Sequence, residues 1–187
     1  MTRIVAGTLG GRRIAAPPGA GTRPTSDRVR EALFSAVQAE VDLDGARFAD
    51  LYAGSGAVGL EALSRGARHV LLVESDPRAA RVIRENVATL RAGSAARLVT
   101  GRAATVLAAG PDGGPYDVVF ADPPYAVPAE EITALLAALV DGGWLAADAL
   151  VVVERSTRSG PVEWVDGITA ERSRRYGETT LWYGRRS

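Results

Sequence analysis

The stretch Ala49–Ala67, ADLYAGSGAVGLEALSRGA, decides the fold of this 187-residue chain. It is typical of the end of a buried strand, a glycine turn and a helix that packs back against the sheet. Gly54, Gly56 and Gly59 have the G-x-G-x-x-G spacing, which supplies a tight turn, a backbone that a ligand can approach and close helix–strand packing. Because glycine turns after strands also occur as simple packing turns, the spacing alone leaves both interpretations open.

The composition is that of one domain with a full hydrophobic core. Hydrophobic residues make up 47% of the chain, and the formal net charge is zero. The absence of cysteine excludes disulfides, thiolate nucleophiles and cysteine-based zinc sites, and we expect no metal. No apolar run is long enough to span a bilayer and the N-terminus lacks the apolar segment of a signal peptide, so we expect a cytoplasmic protein without a membrane partner.

The basic residues are concentrated near the two ends of the chain. All 22 are arginine, a residue type that suits phosphate and base contacts. Residues 1–30 carry six arginines against one acid, Asp27, and the last sixteen residues add five arginines against Glu178. Basic ends on an acidic body favour a surface that binds a polyanion, although solvated tails would give the same pattern.

The first 26 residues predict a small β-hairpin and a linker. Arg3–Ala6 and Arg12–Ala15 are short β-prone runs on either side of a glycine-rich turn. They contain too few apolar residues for a core of their own, so the hairpin should pack on the main domain or wait for a partner. Pro17–Ser26 reads as the linker, and Thr25 or Ser26 can cap the helix that follows.

From residue 47 onward, strand-like and helix-like runs alternate. The strand-like runs are Arg47–Tyr52, His69–Glu74, Arg97–Thr100, Tyr116–Ala121 and Leu150–Glu154. The helix-like runs between them are Val58–Arg65, Pro77–Arg91, Ala103–Ala108 and Ala129–Val140. The tail from Ile168 to Arg185 predicts a closing antiparallel hairpin around Tyr176-Gly177-Glu178. This pattern predicts an α/β, Rossmann-like fold with a mostly parallel sheet covered by helices on both faces. We divide the chain into residues 1–24, hairpin and linker, and residues 25–187, the main domain.

Two acids near the glycine turn bear on which ligand binds there. In a doubly wound sheet the ligand lies at the carboxyl ends of the strands. Glu74, twenty positions after Gly54, is placed to bind the ribose hydroxyls of a dinucleotide or of S-adenosylmethionine (SAM). Asp50 precedes the turn, where its carboxylate would repel a pyrophosphate but attract the ammonium or sulfonium group of SAM. We therefore favour SAM, and a role for Asp50 in bonding backbone N–H groups of the turn stays open.

The segment DPPY, Asp122–Tyr125, follows the fourth strand-like run and should face the same crevice. Pro123 and Pro124 fix the backbone and remove two N–H donors, which leaves carbonyl acceptors. Asp122 and the Pro123 carbonyl can accept the two hydrogens of a planar exocyclic amine, and Tyr125 offers a ring on which a base can stack. The segment thus predicts methyl transfer to an amine nitrogen; the alternative is a rigid turn with a core tyrosine.

These motifs resemble a known family. DxxxGSGxxGLEALSRGA with DPPY is similar to the class I SAM-dependent methyltransferases that modify exocyclic or amide nitrogens. RIVAGTLGGRRIAAP, TRPTSDRVREALF and RRYGETTLWY narrow the match, so that nearly the whole chain resembles the RsmD family of 16S ribosomal RNA guanine-N2 methyltransferases. The resemblance implies a seven-stranded class I sheet and an N-terminal hairpin that helps to grip RNA. It also implies transfer of a methyl group from SAM to N2 of guanine 966 in the assembled or assembling small subunit.

The resemblance assigns roles to individual residues. The cofactor-binding residues are expected to be Asp50, Tyr52, Ala53, Gly54, Ser55, Gly56, Glu74, Ser75, Arg102, Ala103 and Asp122. The catalytic residues are expected to be Asp122, Pro123, Pro124 and Tyr125. The RNA contacts are expected to be Arg3, Arg12, Arg13, Arg23, Thr25, Arg28 and Tyr125. The family usually has an acid near the adenine where this chain has Gly101-Arg102-Ala103, so either the backbone reads the adenine or Arg102 stacks on it.

The chemistry expected is an in-line attack of the amine on the methyl group without a covalent enzyme intermediate. This agrees with the lack of cysteine, which carbon-5 methylation of pyrimidines would require. The target base must be flipped out or come from a loop, since it cannot be reached inside a stack. We expect a monomer that acts on 16S rRNA or the 30S subunit, and we assign lone His69 a structural role.

Three alternatives remain at this point. Another amino-group methyltransferase would act on DNA adenine N6 or protein glutamine N5, although such enzymes more often have Asn at the first position of DPPY. A non-catalytic RNA-binding assembly factor would not need Asp122–Tyr125, and a nicotinamide dehydrogenase is disfavoured by Asp50.

Overall fold

The computed structural model describes residues 2–17 and 26–187, and the structural statements below concern these two ranges. The predicted RNA contacts Arg23 and Thr25 lie outside the described residues, as does most of the predicted linker. Ser26 caps the first helix, and its Oγ accepts a hydrogen bond from the Val29 N–H.

The described residues form one seven-stranded sheet, a two-stranded hairpin and five α-helices. The strands are β1 (Thr2–Arg3), β2 (Arg13–Ile14), β3 (Arg47–Asp50), β4 (His69–Glu74), β5 (Ala96–Thr100), β6 (Tyr116–Ala121), β7 (Leu145–Ser156), β8 (Ile168–Tyr176) and β9 (Thr179–Arg186). The helices are α1 (Asp27–Glu40), α2 (Ala57–Ser64), α3 (Pro77–Thr89), α4 (Ala103–Ala108) and α5 (Ala129–Asp141).

The central sheet has the strand order β5-β4-β3-β6-β7-β9-β8. The first five of these strands are parallel, whereas β9 is antiparallel to both β7 and β8. The chain therefore builds outward from β3 to β5, then returns to the other side of β3 to add β6. The switch point between β3 and β6 is where such a sheet opens a crevice for a ligand. The predicted fold class and the closing antiparallel hairpin are confirmed.

Several predicted boundaries differ from the structure, by the most at β7 and in the N-terminal hairpin. β7 begins at Leu145 rather than Leu150, because only its central part is buried on both faces and shows as a continuous apolar run. The strands of the N-terminal hairpin are only two residues long. The backbone N–H groups of Val5 and Ala6 bond to the Glu61 carboxylate instead of to the opposite strand, with distances of 2.8 and 3.0 Å.

Two apolar clusters cover the two faces of the sheet. The first, which we call the α1 face, packs α1, α2, α3 and the N-terminal hairpin against sheet residues such as Phe48, Leu181 and Tyr183. The second, the α5 face, packs α4 and α5 around Trp144. Ile4 and Ile14 are buried in the α1-face cluster, so the N-terminal hairpin does pack on the main domain as expected.

Arg30 corrects the view that the arginines of residues 1–30 are surface charges. Its side chain is 1% exposed and lies 3.3 Å from the equally buried carboxylate of Glu61. It also donates to the Arg3 carbonyl and to Asp27. Burial lowers the pKa of Arg30, while the charges of Glu61 and Asp27 oppose that shift. Arg30 is adjacent to Val29 on the buried side of α1, where the Glu61 carboxylate takes the place of solvent around its guanidinium group.

Candidate functional site

A cleft of about 920 Å³ lies at the carboxyl ends of β3, β4 and β6. The glycine turn, the segment after β4, the start of α4 and the DPPY segment all line it. Of the predicted cofactor-binding and catalytic residues, Gly56 alone is missing from its lining. Gly56 is buried beneath the turn, where it has a left-handed φ of 83° and lies against Leu60 and Ile83.

The three glycines of the motif have different structural tasks. Gly54 has a φ of 60°, so it and Gly56 provide the left-handed backbone of the turn. A Cβ atom on Gly59 would lie 2.3 Å from Cδ2 of Leu72. Gly59 therefore allows α2 to lie directly on β4, which is the packing role that the spacing predicts.

Asp50 is a buried carboxylate that accepts a hydrogen bond at only one of its two oxygens. Its residue is 1% exposed, and Oδ2 accepts a hydrogen bond of 3.1 Å from the Gly59 N–H. Oδ1 is also buried and has no hydrogen-bond partner among the described residues. Burial raises the pKa of Asp50 to about 7; the Gly59 bond and, more weakly, the Tyr52 backbone N–H oppose this shift, and the charges of Asp122 and Glu74 add to it. Asp50 thus bonds the turn with one oxygen and presents an uncompensated oxygen beside the cleft.

Glu74 holds the glycine turn as well as lining the cleft. Its Oε1 accepts from the Gly54 N–H at 2.8 Å, and its Oε2 accepts from the Asp76 N–H at 2.8 Å. The sequence pattern suggested a ribose ligand at this position and gave no sign of the link to Gly54. Because each carboxylate oxygen can accept more than one hydrogen bond, both remain capable of accepting from ribose hydroxyls.

The DPPY segment lines the same cleft as the glycine turn. Asp122 is half-buried, and its charge and that of Glu74 both act on the buried Asp50. Tyr125 is 60% exposed at the cleft, so the alternative of a core tyrosine is wrong. The Pro124 carbonyl accepts from the Val127 N–H at 3.1 Å, which closes the segment into a turn. Glu74 and Asp122 therefore open onto one cavity, as a shared donor–acceptor site requires.

Arg102 is one of the predicted cofactor-binding residues. It is exposed, precedes the first residue of α4 and lines the cleft. Burial raises the pKa of nearby Tyr52, and the charge of Glu131 adds to the rise, whereas the charges of Arg155 and Arg102 lower it. The Arg102 guanidinium is thus close enough to act on the wall of the cleft that Tyr52 forms.

The predicted arginine contacts to RNA that the structure describes lie on the N-terminal hairpin and at the start of α1. Arg3 is 66% exposed and lies 3.9 Å from Asp27, and Arg13 and Arg28 are exposed. Arg12 instead donates at 2.9 Å to the Thr89 carbonyl at the C-terminus of α3. None of these four arginines lines the cleft.

Other residues of the N-terminal segment border the cleft directly. They are Thr2, Ala16 and Pro17. Nothing in their residue types could have identified them from sequence.

Asn86 is a buried polar residue that the sequence analysis missed. Its Oδ1 accepts from the Ala15 N–H at 2.8 Å, and its Nδ2 donates to the carbonyls of Ala15 and Ser55, each at 2.9 Å. One side-chain amide therefore joins the N-terminal hairpin to the glycine turn. The only signal in the sequence is a polar residue on the packed face of the amphipathic helix α3.

His69 lies away from the cleft. It begins β4 at the opposite end of the sheet, and its Nε2 is 3.1 Å from the Tyr116 hydroxyl. Within residues 2–17 and 26–187 there is no group of three or more acidic, histidine or cysteine side chains that could hold a metal. In the same ranges no helix has the length and apolar character needed to cross a membrane.

Comparisons with known proteins show the family of this chain. Residues 2–185 match the family model described as Conserved hypothetical protein 95. The chain is 44% identical over 166 residues to Ribosomal RNA small subunit methyltransferase D of Escherichia coli strain K12, covering 87% of this chain and 80% of the relative.

Two solved structures show how far the likeness in fold extends. The structure of yhhF from Escherichia coli superposes with a TM-score of 0.85 at 37% identity, covering 100% of this chain and 98% of that one. A Salinibacter ruber RNA methyltransferase in complex with S-adenosyl-L-homocysteine has a TM-score of 0.64 at 17% identity, covering 87% and 92%, and shows the fold alone. Since the family model spans nearly the whole chain and the identity to the curated relative is high, the chain belongs to the RsmD family of methyltransferases.

Proposed function

We propose that the protein transfers the methyl group of SAM to the exocyclic N2 of guanine 966 in 16S ribosomal RNA. The observation that carries this proposal is that buried Asp50, Glu74 and the DPPY segment line the same cleft. The relatives named for ribosomal RNA methylation support the substrate class.

The residues of the cleft fit SAM. The uncompensated oxygen of Asp50 suits a cationic ligand, because a positive charge would balance a carboxylate that burial now disfavours. Glu74 would accept from the ribose hydroxyls, and the turn from Tyr52 to Gly56 would contact the methionine moiety. Ser75, Arg102 and Ala103 would border the adenine. When bound, SAM supplies an electrophilic methyl group on a positively charged sulfur.

The DPPY segment would hold the guanine. Asp122 and the Pro123 carbonyl would accept hydrogen bonds from the two N2–H groups, which orients the nitrogen toward the methyl group of SAM. Asp122 would also offset the positive charge that develops on N2 during transfer. Pro124 keeps the segment rigid. Exposed Tyr125 would stack on the flipped base, a contact worth about 1–3 kcal/mol per base.

The N-terminal segment would deliver the RNA. Thr2, Ala16 and Pro17 border the cleft, and exposed arginines lie on the same hairpin. We therefore keep residues 1–24 as the RNA-contacting unit and 25–187 as the methyltransferase domain, with Arg23 and Thr25 as further contacts. We expect the protein to act in the cytoplasm as a monomer on 16S rRNA or the 30S subunit.

The test is methylation of small subunits that lack this modification. Protein, labelled SAM and undermethylated 30S subunits are incubated together, and the RNA is digested to nucleosides. Label on guanine N2, at the single predicted position, is the expected result. Label on adenine would indicate another amino-group methyltransferase, and RNA binding without any label would indicate an assembly factor. Naked 16S rRNA and a partly assembled particle, run in parallel, identify the form of the substrate.

A further inference from the structure

We infer that Arg172 and Arg174, on the α1 face of the edge strand β8, bind phosphates of the RNA strand that flanks the target base. This inference rests on the proposed function and extends the RNA surface beyond the N-terminal hairpin.

The register of the C-terminal strands places these two arginines on one face. Arg172 pairs with Tyr183, and Arg174 pairs with Leu181. Directly opposed residues in an antiparallel pair share a face, and Tyr183 and Leu181 belong to the α1-face cluster. Arg172 also lies over the Tyr183 ring, with its guanidinium carbon 5.1 Å from the ring centroid. Arg172 and Arg174 therefore lie on the same side of the sheet as the N-terminal hairpin.

The direction of β8 brings Arg174 to the level of the cleft. Asp122 directly follows β6, at the level of Glu154 in β7. Glu154 pairs with Leu181, which pairs with Arg174. The three strand-to-strand steps along this row correspond to about 14 Å, at about 4.8 Å a step. A nucleotide held at Asp122 would thus have the neighbouring backbone within reach of Arg174.

The charges of these arginines are not neutralised within the described part of the protein. Residues 169–175 are exposed, and neither Arg172 nor Arg174 forms an ion pair with another described residue. The nearest acids along the chain have other partners: Glu171 bonds Arg185 at 3.1 Å, and Glu178 lies 3.6 Å from Arg158. Exposed guanidinium groups without a carboxylate partner are suited to phosphates.

Arg175 provides a matched control on the same strand. It is also exposed and carries the same charge, but it pairs with Thr180 and points to the α5 face of the sheet. Arg174→Gln and Arg175→Gln remove one charge each from adjacent positions. They differ in the face that loses the charge, and Arg175→Gln also removes the hydrogen bond of 3.0 Å that Arg175 Nε donates to the Gly177 carbonyl.

The experiment measures binding of a 16S rRNA fragment that contains the target loop, from 50 to 250 mM salt, together with methylation of 30S subunits. We expect Arg174→Gln to weaken binding severalfold and to lower the slope of log Kd against log salt by about 0.7, the value for one single-strand phosphate contact. Arg175→Gln should change neither quantity, and both variants should keep the wild-type affinity for SAM. Arg172→Gln should resemble Arg174→Gln, with some loss of stability because the ring contact is also removed.

Equal effects of Arg174→Gln and Arg175→Gln, or no effect of either, would overturn the inference, because binding would then depend on net charge alone or not involve β8. The proposed function fails separately. Absence of label on RNA with the wild-type protein disproves the function, whereas normal methylation with indistinguishable variants disproves only the β8 contact.

Discussion

Two of the buried acids, Glu61 and Asp50, have different surroundings. Glu61 accepts hydrogen bonds from two backbone N–H groups of the N-terminal hairpin. Its carboxylate also lies 3.3 Å from Arg30 and 2.9 Å from Arg65, and we call Glu61 and these partners the Glu61 network. Asp50, beside the cleft, accepts from one N–H and keeps a buried oxygen without a partner among the described residues. A buried charge with all its partners in place serves the fold, whereas one left uncompensated favours a ligand that completes it.

The two acids also differ in the sign of the charges around them. Around Glu61 the nearby charges are opposite in sign, whereas around Asp50 the nearby charges are those of Asp122 and Glu74. The Glu61 carboxylate is thus balanced by charges of the protein itself. The carboxylates around the cleft are stabilised when a cation binds there.

The largest effect is expected at the wall of the cleft. Asp122→Ala should lower the rate of methyl transfer by about 100-fold or more, because an acceptor that orients the amine and offsets its charge is lost. Affinity for SAM should persist, because Asp50, Glu74 and the glycine turn remain in the cleft to bind it. Single-turnover rates and SAM binding by calorimetry measure the two quantities. Asp122→Asn, which keeps one acceptor oxygen, is the control, and equal losses in both variants would contradict the acceptor role.

A substitution in the Glu61 network should lower stability rather than activity. Glu61→Gln removes the countercharge of buried Arg30 and should lower the free energy of unfolding by about 3–5 kcal/mol. Urea unfolding checks this value. Glu31→Gln, an exposed acid on α1, serves as the control and should change little. A Glu61 variant as stable as that control would show that the buried network is dispensable.

The raised pKa of Asp50 should make both stability and SAM affinity depend on pH. In the free protein the pKa of Asp50 lies near 7, against an ordinary value of 3.8, so the folded state holds a proton that the unfolded state has released. The contribution of protonated Asp50 to the free energy of unfolding is complete below pH 3.8 and is lost as pH rises through about 7. Affinity for SAM should change in the opposite direction, by up to about tenfold per pH unit below the pKa, because the carboxylate binds the cation.

Titration calorimetry of SAM between pH 6 and 8 measures this dependence. Asp50→Asn should bind SAM weakly at every pH and remove the slope. A steep slope that survives in Asp50→Asn would assign the pH dependence to another group.

A smaller effect is expected where the two regions meet. Asn86→Asp removes both amide donors, to Ala15 and to Ser55, so RNA affinity and SAM affinity should each fall severalfold. Ser64→Ala loosens the hairpin at its other end, where the Ser64 hydroxyl bonds Ala6 and Leu9, without touching the glycine turn. Ser64→Ala should therefore weaken RNA binding alone. If Asn86→Asp also leaves SAM affinity unchanged, the amide anchors the hairpin but does not support the cofactor site.

The sequence by itself determined the order of the strands and helices from residue 47 onward. Apolar runs, glycine turns and the Asp76-Pro77 helix start are local signals, and each depends on the backbone preferences of a few adjacent residues. The same local chemistry located the glycine turn, Asp50, Glu74 and the DPPY segment. The carboxyl ends of parallel strands meet at one edge of the sheet, so their assembly into one cleft followed from the fold class.

Only the tertiary structure decided which polar residues serve the fold and which face a ligand. Arg30 and Arg3 are indistinguishable as sequence letters, yet one is buried against Glu61 and the other is exposed. Asn86 bonds Ala15 and Ser55, which lie 71 and 31 positions away in the chain. Glu74 was expected only to bind a ligand, and it also accepts a hydrogen bond from Gly54 in the glycine turn. Hydrogen bonds and charge pairs between distant segments depend on where packing places each side chain, and no local pattern in the chain encodes that position.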